Sequence, residues 1–211
     1  HGFVASRLGD RTAADAGPPN RLFARCPKAH ETPLRDADEL AAAIGIGCLH
    51  IKDERGRMSL GSFKALGAAY VIACDAEEGE AAGHTYVTAS AGNHGLSVAA
   101  GAAVFGARAR IYIAESVPES FAARLRSHGA EVVRAGTVYE ESMAAAARAA
   151  EEEGLVLLSD SSWPGYAERP HRLMEGYLIL MAEAVAQIPE PPTHIFLQAG
   201  VGGLAGGDDA V

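Results

Sequence analysis

The apolar and polar positions of this chain follow two alternating patterns from residue 85 onward. Short apolar runs typical of buried strands are separated by longer segments in which apolar residues recur every three or four positions, as in helices. The predicted strands are Thr85–Ala89, Arg110–Ala114, Glu131–Arg134, Leu155–Ser159 and His194–Ala199, and the predicted helices are Leu96–Phe105, Glu119–Ser127, Tyr139–Glu153 and Arg169–Gln187. This alternation predicts βαβ units and an α/β fold with a mostly parallel sheet.

The first 84 residues are less regular. Residues 1–19 are polar and rich in Gly, Ala and Pro, so we expect a mobile entry segment there. A helix is predicted over Arg35–Ile44 and a short strand over Cys48–Lys52. A second helix is predicted over Ser62–Ala73, with Ser62 as its N-cap.

Composition and charge exclude several classes of partner. The 211 residues are 48% hydrophobic and 21% charged, as in an ordinary globular protein, and the net charge is −9. An acidic chain without a basic cluster is not expected to bind nucleic acid or an anionic membrane surface. No apolar run is long enough to span a bilayer, and no signal peptide opens the chain. Cys26, Cys48 and Cys74 lack metal-type spacing, so we predict no metal site and interpret them as thiols in a reducing cytoplasm.

Lys64 is the candidate reactive side chain. It is one of only three lysines, and its segment Ser59–Gly67 is rich in glycine and apolar residues and contains no carboxylate. In the first turn of a helix, both the helix dipole and burial disfavour a charged ammonium group. A neutral lysine amine can form a Schiff base with a carbonyl group, which makes Lys64 a candidate for that chemistry. The alternative is an ordinary surface lysine near a helix start.

Candidate binding groups lie where predicted strands end, because α/β sheets bind ligands beyond the carboxyl ends of their strands. The first such loop combines glycines, which admit a close ligand, with an amide that both donates and accepts hydrogen bonds. Its residues are Ser90, Ala91, Gly92, Asn93, His94 and Gly95. A capped helix start explains the same loop equally well, and its histidine is interpreted as a packed, hydrogen-bonded side chain.

Two further loops follow predicted strands. The glycine-rich one begins at Gly200, and its N–H groups would form a nest for an anion. Gly200, Gly202 and Ala205 also fit a dinucleotide pattern, but the acidic residue expected about 20 positions later is missing, so a monophosphate site is preferred. The other loop holds Asp160 and the single tryptophan, Trp163, and is either a packed loop or the rim of a substrate pocket.

Three motifs together resemble the fold-type-II pyridoxal phosphate enzymes, the group of threonine dehydratase and cysteine synthase. They are Ser62-Phe63-Lys64, Gly92-Asn93-His94 and Gly200-Val201-Gly202-Gly203, in the family's order. The resemblance implies pyridoxal 5′-phosphate as cofactor, bound by Lys64 as a Schiff base, by Asn93 beside the ring hydroxyl and by the glycine-rich segment at the phosphate. It also implies a two-domain, tryptophan synthase β-like fold. Residues 1–84 and 193–211 would form part of a large cofactor-anchoring domain, and residues 85–192 a smaller mobile α/β domain.

Other segments are similar to the diaminopropionate ammonia-lyase family. They are Lys52-Asp53-Glu54, Gly129-Ala130-Glu131-Val132, Trp163-Pro164-Gly165-Tyr166, Met174-Glu175-Gly176-Tyr177 and the stretch from Thr193 to Gly207. This similarity implies β-elimination on a small amino acid, 2,3-diaminopropionate, in a cytoplasmic homodimer. Lys64 would remove the Cα proton, Asp160 would protonate the leaving amino group, and Ser90, Ala91 and Gly92 would hold the substrate. The alternatives are a serine or threonine dehydratase of the same fold and a truncated, non-catalytic binding module.

Two departures from the family pattern matter. Where the family often has Asp before Gly-Asn-His, this chain has Ala91, which offers no second proton acceptor and predicts a preference for the L substrate. The family also continues well beyond the glycine-rich loop, whereas this chain ends at Val211. We therefore expect the C-terminal part of the large domain to be missing.

Overall fold

The structure is a computed structural model that describes residues 15–200 and 202–205. The helices are α1 (Gly17–Phe23), α2 (Asp38–Ile44), α3 (Lys64–Glu77), α4 (Asn93–Val104), α5 (Glu119–Ser127), α6 (Tyr139–Glu153) and α7 (Glu168–Gln187), with a 3₁₀ segment at Glu54–Ser59. The strands are β1 (Leu34–Asp36), β2 (His50–Lys52), β3 (Thr85–Ala89), β4 (Arg108–Ile113), β5 (Glu131–Arg134) and β6 (Val156–Leu157).

A four-stranded parallel sheet forms the centre of the fold, with the strand order β5-β4-β3-β6. One of its two inner strands, β3, is buried along its whole length because helices cover both faces. Tyr86 packs into the apolar cluster that contains α4, whereas Val87 and Ala89 pack against α6. The predicted α/β fold with a parallel sheet is confirmed.

Helix α3 lies between α4 and α7, and glycines allow it to approach α7 closely. A Cβ atom on Gly67 would lie 2.7 Å from Cε1 of Tyr177, and one on Gly176 would lie 2.7 Å from the backbone oxygen of Leu66. Neither position has room for a side chain, so the two glycines set the distance between the helices. This contact fixes the first turn of α3, which carries Lys64, against α7.

One predicted strand is wrong. Residues 194–199 form no strand, and within the described part of the chain no neighbour pairs with them. Their apolar residues are exposed, with Ile195 at 62% and Phe196 at 85% of full exposure. The apolar pattern is that of a strand, but a strand also requires hydrogen bonds to a second strand, which a local pattern does not supply.

The N-terminal predictions also need correction. The predicted helix Arg35–Ile44 begins too early, because Leu34–Asp36 pairs antiparallel with His50–Lys52 and α2 starts only at Asp38. Residues 17–19 of the expected mobile segment belong to α1, and residues 1–14 of that segment lie outside the described residues. The described helices include none that is long and apolar enough to cross a membrane.

Candidate active site

The candidate site lies at the carboxyl ends of β3 and β6, opposite the start of α3. An open cavity of about 370 Å³ occupies this position. The predicted site residues that line it are Lys64, Ser90, Asn93, Asp160, Gly200, Gly202 and Gly203. Ala91 and Gly92 belong to the same turn but do not line the cavity, and Val201 lies outside the described residues.

Lys64 is the first residue of α3, which begins two residues later than predicted and extends to Glu77. The N-cap of α3 is Phe63, which makes no side-chain cap hydrogen bond, so the predicted Ser62 N-cap is wrong. The hydroxyl of Ser62, one residue earlier, still accepts a hydrogen bond from the backbone N–H of Lys64 at 3.3 Å. The Lys64 side chain therefore lines the cavity from the first turn of α3.

A carboxylate lies beside Lys64 in space, although its own segment Ser59–Gly67 contains none. Its Nζ donates a hydrogen bond to Oδ2 of Asp160 at 2.9 Å. Asp160 is 96 positions away in the sequence, and it is close in space because it follows β6, the strand next to β3. The two side chains keep 20% and 18% of their exposure, so the pair faces the open cavity.

Neighbouring charges keep Asp160 ionised. Burial alone would raise the pKa of its carboxyl group, but nearby positive charge, on His94 when protonated and on Lys64, lowers that pKa below its ordinary value of 3.8. Asp160 is therefore a carboxylate where it accepts the hydrogen bond from Lys64.

His94 supports the site from behind. Its Nε2 bonds the backbone oxygen of Leu158 at 2.8 Å, which requires the proton on Nε2. Burial lowers the pKa of His94 below its ordinary value of 6.5, which favours the neutral ring, while the Asp160 charge acts in the opposite direction. Its Nδ1 has no partner among the described residues. The prediction of a packed, hydrogen-bonded histidine is confirmed.

The turn from Ser90 to Asn93 joins β3 to α4 very tightly. A Cβ atom on Gly95 would lie only 2.2 Å from the backbone oxygen of Ser90, so only glycine fits there. The hydroxyl of Ser90 accepts the N–H of Gly92 at 3.2 Å. Asn93 begins α4, three residues earlier than predicted, and the partial positive charge of a helix N-terminus adds to its side-chain amide at the cavity.

The glycine-rich segment forms the opposite wall. Apart from their chain neighbours, no described residue has an atom within 4 Å of the Cβ positions that side chains at Gly200 or Gly202 would occupy. Gly202 also has a φ of +85°, which favours glycine. The open space and exposed backbone make a cradle for an anion. Together, the Lys64 amine, this cradle and the Asn93 amide fit the aldehyde, phosphate and ring hydroxyl of pyridoxal phosphate.

The loop after β6 was predicted to be either a packed loop or the rim of a pocket, and it has features of both. Asp160 lines the cavity, while Trp163 stacks on Tyr166 with ring centroids 4.4 Å apart. The Tyr166 hydroxyl donates to the Leu157 oxygen at 3.0 Å and accepts the N–H of Ser159 at 2.9 Å. The loop is therefore packed, and this packing holds Asp160 in place.

Several residues near Lys64 had no role predicted from their chemistry. Gln198, Phe63 and Leu204 line the cavity. Tyr177 packs beneath Lys64, and its only sequence signal is its place in the Gly176-Tyr177 motif. The described residues contain no group of three His, Cys, Asp or Glu side chains that could hold a metal ion.

Comparison with known proteins agrees with this geometry. Residues 27–207 match the family described as pyridoxal-phosphate dependent enzyme. Diaminopropionate ammonia-lyase of Salmonella typhimurium is 38% identical over 199 residues, which cover 83% of this chain and 49% of that protein. L-threonine ammonia-lyase of Geobacter sulfurreducens is 33% identical over 147 residues, which cover 70% of this chain and 34% of that protein.

A solved structure extends the agreement to three dimensions. Diaminopropionate ammonia lyase from Escherichia coli, in complex with an aminoacrylate-PLP azomethine reaction intermediate, superposes with a TM-score of 0.87 and 32% identity. The match covers 92% of this chain and 54% of that one. The chain thus spans about half the length of the curated diaminopropionate ammonia-lyase that it matches. By family match, fold and site geometry, the chain belongs to the pyridoxal-phosphate dependent enzymes of fold type II.

Proposed function

We propose that the full-length protein is a pyridoxal-phosphate-dependent carbon–nitrogen lyase that converts 2,3-diaminopropionate to pyruvate and ammonia. The observation that carries this proposal is the contact of 2.9 Å between Lys64 Nζ and Asp160 Oδ2 in a cavity that also presents a glycine cradle. Eliminating an amino group needs a base at Cα and an acid at the leaving nitrogen. This contact supplies one group of each kind.

A single proton transfer prepares both groups. In the ion pair, Nζ carries the proton and Asp160 is a carboxylate. The resting pair favours the proton on Nζ, and we propose that this proton moves to Oδ2 during turnover. The move leaves a neutral amine, able to remove the Cα proton, and a carboxylic acid, able to protonate the departing amino group. When bound, pyridoxal phosphate supplies an aldehyde for amine exchange and a ring that takes up the negative charge at Cα.

The overall reaction then balances. The Cα–H proton passes to Lys64, the Cβ–N bond breaks, and ammonia leaves with the proton from Asp160. Released 2-aminoacrylate reacts with water to give pyruvate and a second ammonia. We propose that Ser90 and the backbone of Ala91 and Gly92 hold the substrate carboxylate at the start of α4, where helix N–H groups favour anions.

The remaining sequence-based predictions are kept as proposals. Residues 1–84 and 193–211 would belong to the cofactor-anchoring domain and residues 85–192 to a smaller domain that closes over substrate. We also propose a cytoplasmic homodimer, a proposal supported by the family resemblance and by the three free thiols. Light scattering of the full-length protein should give twice the chain mass, and a single chain mass would contradict the dimer.

A serine or threonine dehydratase is the second candidate, favoured by the similarity to the threonine ammonia-lyase of Geobacter sulfurreducens. Breaking a C–O bond instead of a C–N bond needs the same base and acid. The two candidates therefore differ in the group that leaves Cβ and in the pocket around it.

Initial rates of the full-length enzyme with 2,3-diaminopropionate, serine and threonine separate these candidates. We expect diaminopropionate to have the highest kcat/KM and to give one pyruvate and two ammonia per turnover. Higher kcat/KM for serine or threonine would transfer the proposal to the dehydratase. Failure to bind pyridoxal phosphate, seen as the absence of the cofactor's absorbance from the purified protein, would favour a non-catalytic module.

A further inference from the structure

Tyr177 packs directly behind two residues that line the candidate cofactor site, Lys64 and Gly203, without lining the cavity itself. Its ring meets Phe63 edge-on with centroids 5.1 Å apart, and Lys64 Nζ lies 5.6 Å from its centroid. On the other edge, a Cβ atom on Gly203 would lie 3.7 Å from Cε2 of Tyr177. The ring therefore lies between Lys64, which would bind the cofactor aldehyde, and the glycine-rich segment, which would bind the cofactor phosphate.

The hydroxyl of Tyr177 lacks a hydrogen-bond partner within the described residues, although the residue is only 2% exposed. Two other tyrosines, Tyr86 and Tyr166, differ in this respect. Tyr86 donates to Asp75 at 2.8 Å, and Tyr166 donates to the Leu157 oxygen at 3.0 Å. Because an unpaired buried hydroxyl is costly, this one points to a partner that the protein binds from outside.

The Tyr177 hydroxyl is suited to an anion. Burial raises its pKa well above the ordinary value of 10, and the Asp160 carboxylate acts in the same direction, so the group remains a donor at all working pH values. Asp160 itself already accepts from Lys64. A phosphate bound in the glycine cradle would lie beside Gly203 and therefore close to Tyr177.

We propose that Tyr177 is a cofactor-binding residue whose hydroxyl donates a hydrogen bond to the phosphate group in the glycine cradle. This proposal rests on the proposed active site and adds a side-chain donor to a cradle otherwise built from backbone N–H groups. It also gives the hydroxyl group a role at the crossing of α3 and α7, where the ring of a phenylalanine would fill the same space.

The test compares two ligands that differ only in the phosphate. The apo form of the full-length protein is titrated with pyridoxal phosphate and with pyridoxal, and absorbance reports binding. We expect Tyr177→Phe to weaken pyridoxal phosphate binding about tenfold or more, because hydrogen bonds to charged groups are among the stronger ones. Pyridoxal binding should not change. The ³¹P resonance of the bound phosphate should also shift in the variant.

Tyr86→Phe is the matched control, since it removes a buried hydroxyl on β3 that pairs with Asp75. It should leave both affinities unchanged. Equal pyridoxal phosphate affinity in Tyr177→Phe and the unmodified protein would overturn the proposal, as would equal losses for both ligands. An unmodified protein that binds neither ligand would instead contradict the proposed function on which this inference rests.

Discussion

Two ion pairs in this protein join a basic side chain to a carboxylate in opposite ways. Arg57 is fully buried and donates two hydrogen bonds to Glu183, at 2.8 and 2.6 Å, and two to Glu54, at 2.7 and 2.8 Å. Lys64 makes one hydrogen bond to Asp160, and both face a cavity. A saturated buried pair is rigid, whereas a single bond beside open space can exchange partners. The first arrangement suits support and the second suits chemistry.

The buried pair lies close in sequence to Lys64, since Arg57 precedes it by seven residues. Burial alone would lower the pKa of Arg57, but its hydrogen bonds to Glu183 and Glu54 outweigh this and raise it, so the group stays charged. Immediately after it, Met58 and Ser59 have φ values of 49° and 60°, which are strained for residues other than glycine. We interpret the Arg57 pair as the anchor that holds this strained turn ahead of Lys64.

Breaking the buried ion pair between Arg57 and Glu183 should have the largest effect, and this effect should be on stability. Glu183→Gln leaves Arg57 and Lys52 short of a charge partner, so we expect the free energy of unfolding to fall by about 3–5 kcal/mol. Urea denaturation measures this value. Glu153→Gln, which breaks an exposed pair with Arg110, is the control and should cost about 1 kcal/mol or less. Equal losses in the two variants would contradict the supporting role of Glu183.

The Arg57–Glu183 pair also predicts how the stability of the fold depends on pH. Burial alone would raise the pKa of Glu183, but hydrogen bonds from Arg57 and Lys52 lower it below its ordinary value of 4.5. A carboxyl group with a lowered folded-state pKa stabilises the protein above its unfolded-state pKa, and that contribution disappears as pH falls through the folded value. The stability difference between the unmodified protein and Glu183→Gln should therefore be constant at neutral pH and shrink below pH 4.5. A stability difference that grows as the pH falls would contradict the stabilising role of the Glu183 carboxylate.

Breaking the open pair should affect rate more than stability. Asp160→Asn removes the acid and the acceptor for the Lys64 proton, so we expect kcat to fall about 10²-fold. The melting temperature should change little, because a single partly exposed ion pair contributes little stability. Stopped-flow and steady-state rates of the full-length enzyme check the first point. Full activity in this variant would remove Asp160 from the mechanism.

The fold was largely predictable because its strands are short, locally apolar and bounded by glycine or polar turns. The loops at the carboxyl ends of β3 and β6 were also found, since strand–helix alternation fixes where a parallel sheet binds ligands. The two ion pairs were not. Arg57 and Glu183 are 126 positions apart, and Lys64 and Asp160 are 96 apart, so only the folded chain brings each pair together. The strand predicted at residues 194–199 was wrong because a strand needs a neighbouring strand to pair with, which the local sequence does not reveal.

The cradle can be broken without touching either ion pair. Gly202→Asp places a carboxylate where a phosphate is expected, and like-charge repulsion should weaken cofactor binding about 100-fold while the protein stays folded. Gly129→Asp is the control, because it has nearly the same φ, +86° against +85°, and lies at the end of α5. Unchanged cofactor affinity in Gly202→Asp would mean that this segment has another role.

The smallest expected effect concerns stereochemistry. Ala91 has no titratable atom, so Lys64 and Asp160 would serve one face of the substrate, and we expect the L enantiomer of diaminopropionate to react much faster. Ala91→Asp should raise the rate with the D enantiomer and leave the L rate similar. Comparable L and D rates in the unmodified protein would point to a second base elsewhere.

The central claim is that Lys64 is the residue that binds the cofactor. Borohydride reduction of the full-length holoenzyme, followed by peptide mapping, tests it most directly. Only three lysines of this sequence compete, and Lys52 is already held by Glu183 at 2.7 Å. The account predicts the phosphopyridoxyl group on the peptide that contains Lys64. Recovery on Lys28 or Lys52 would contradict it.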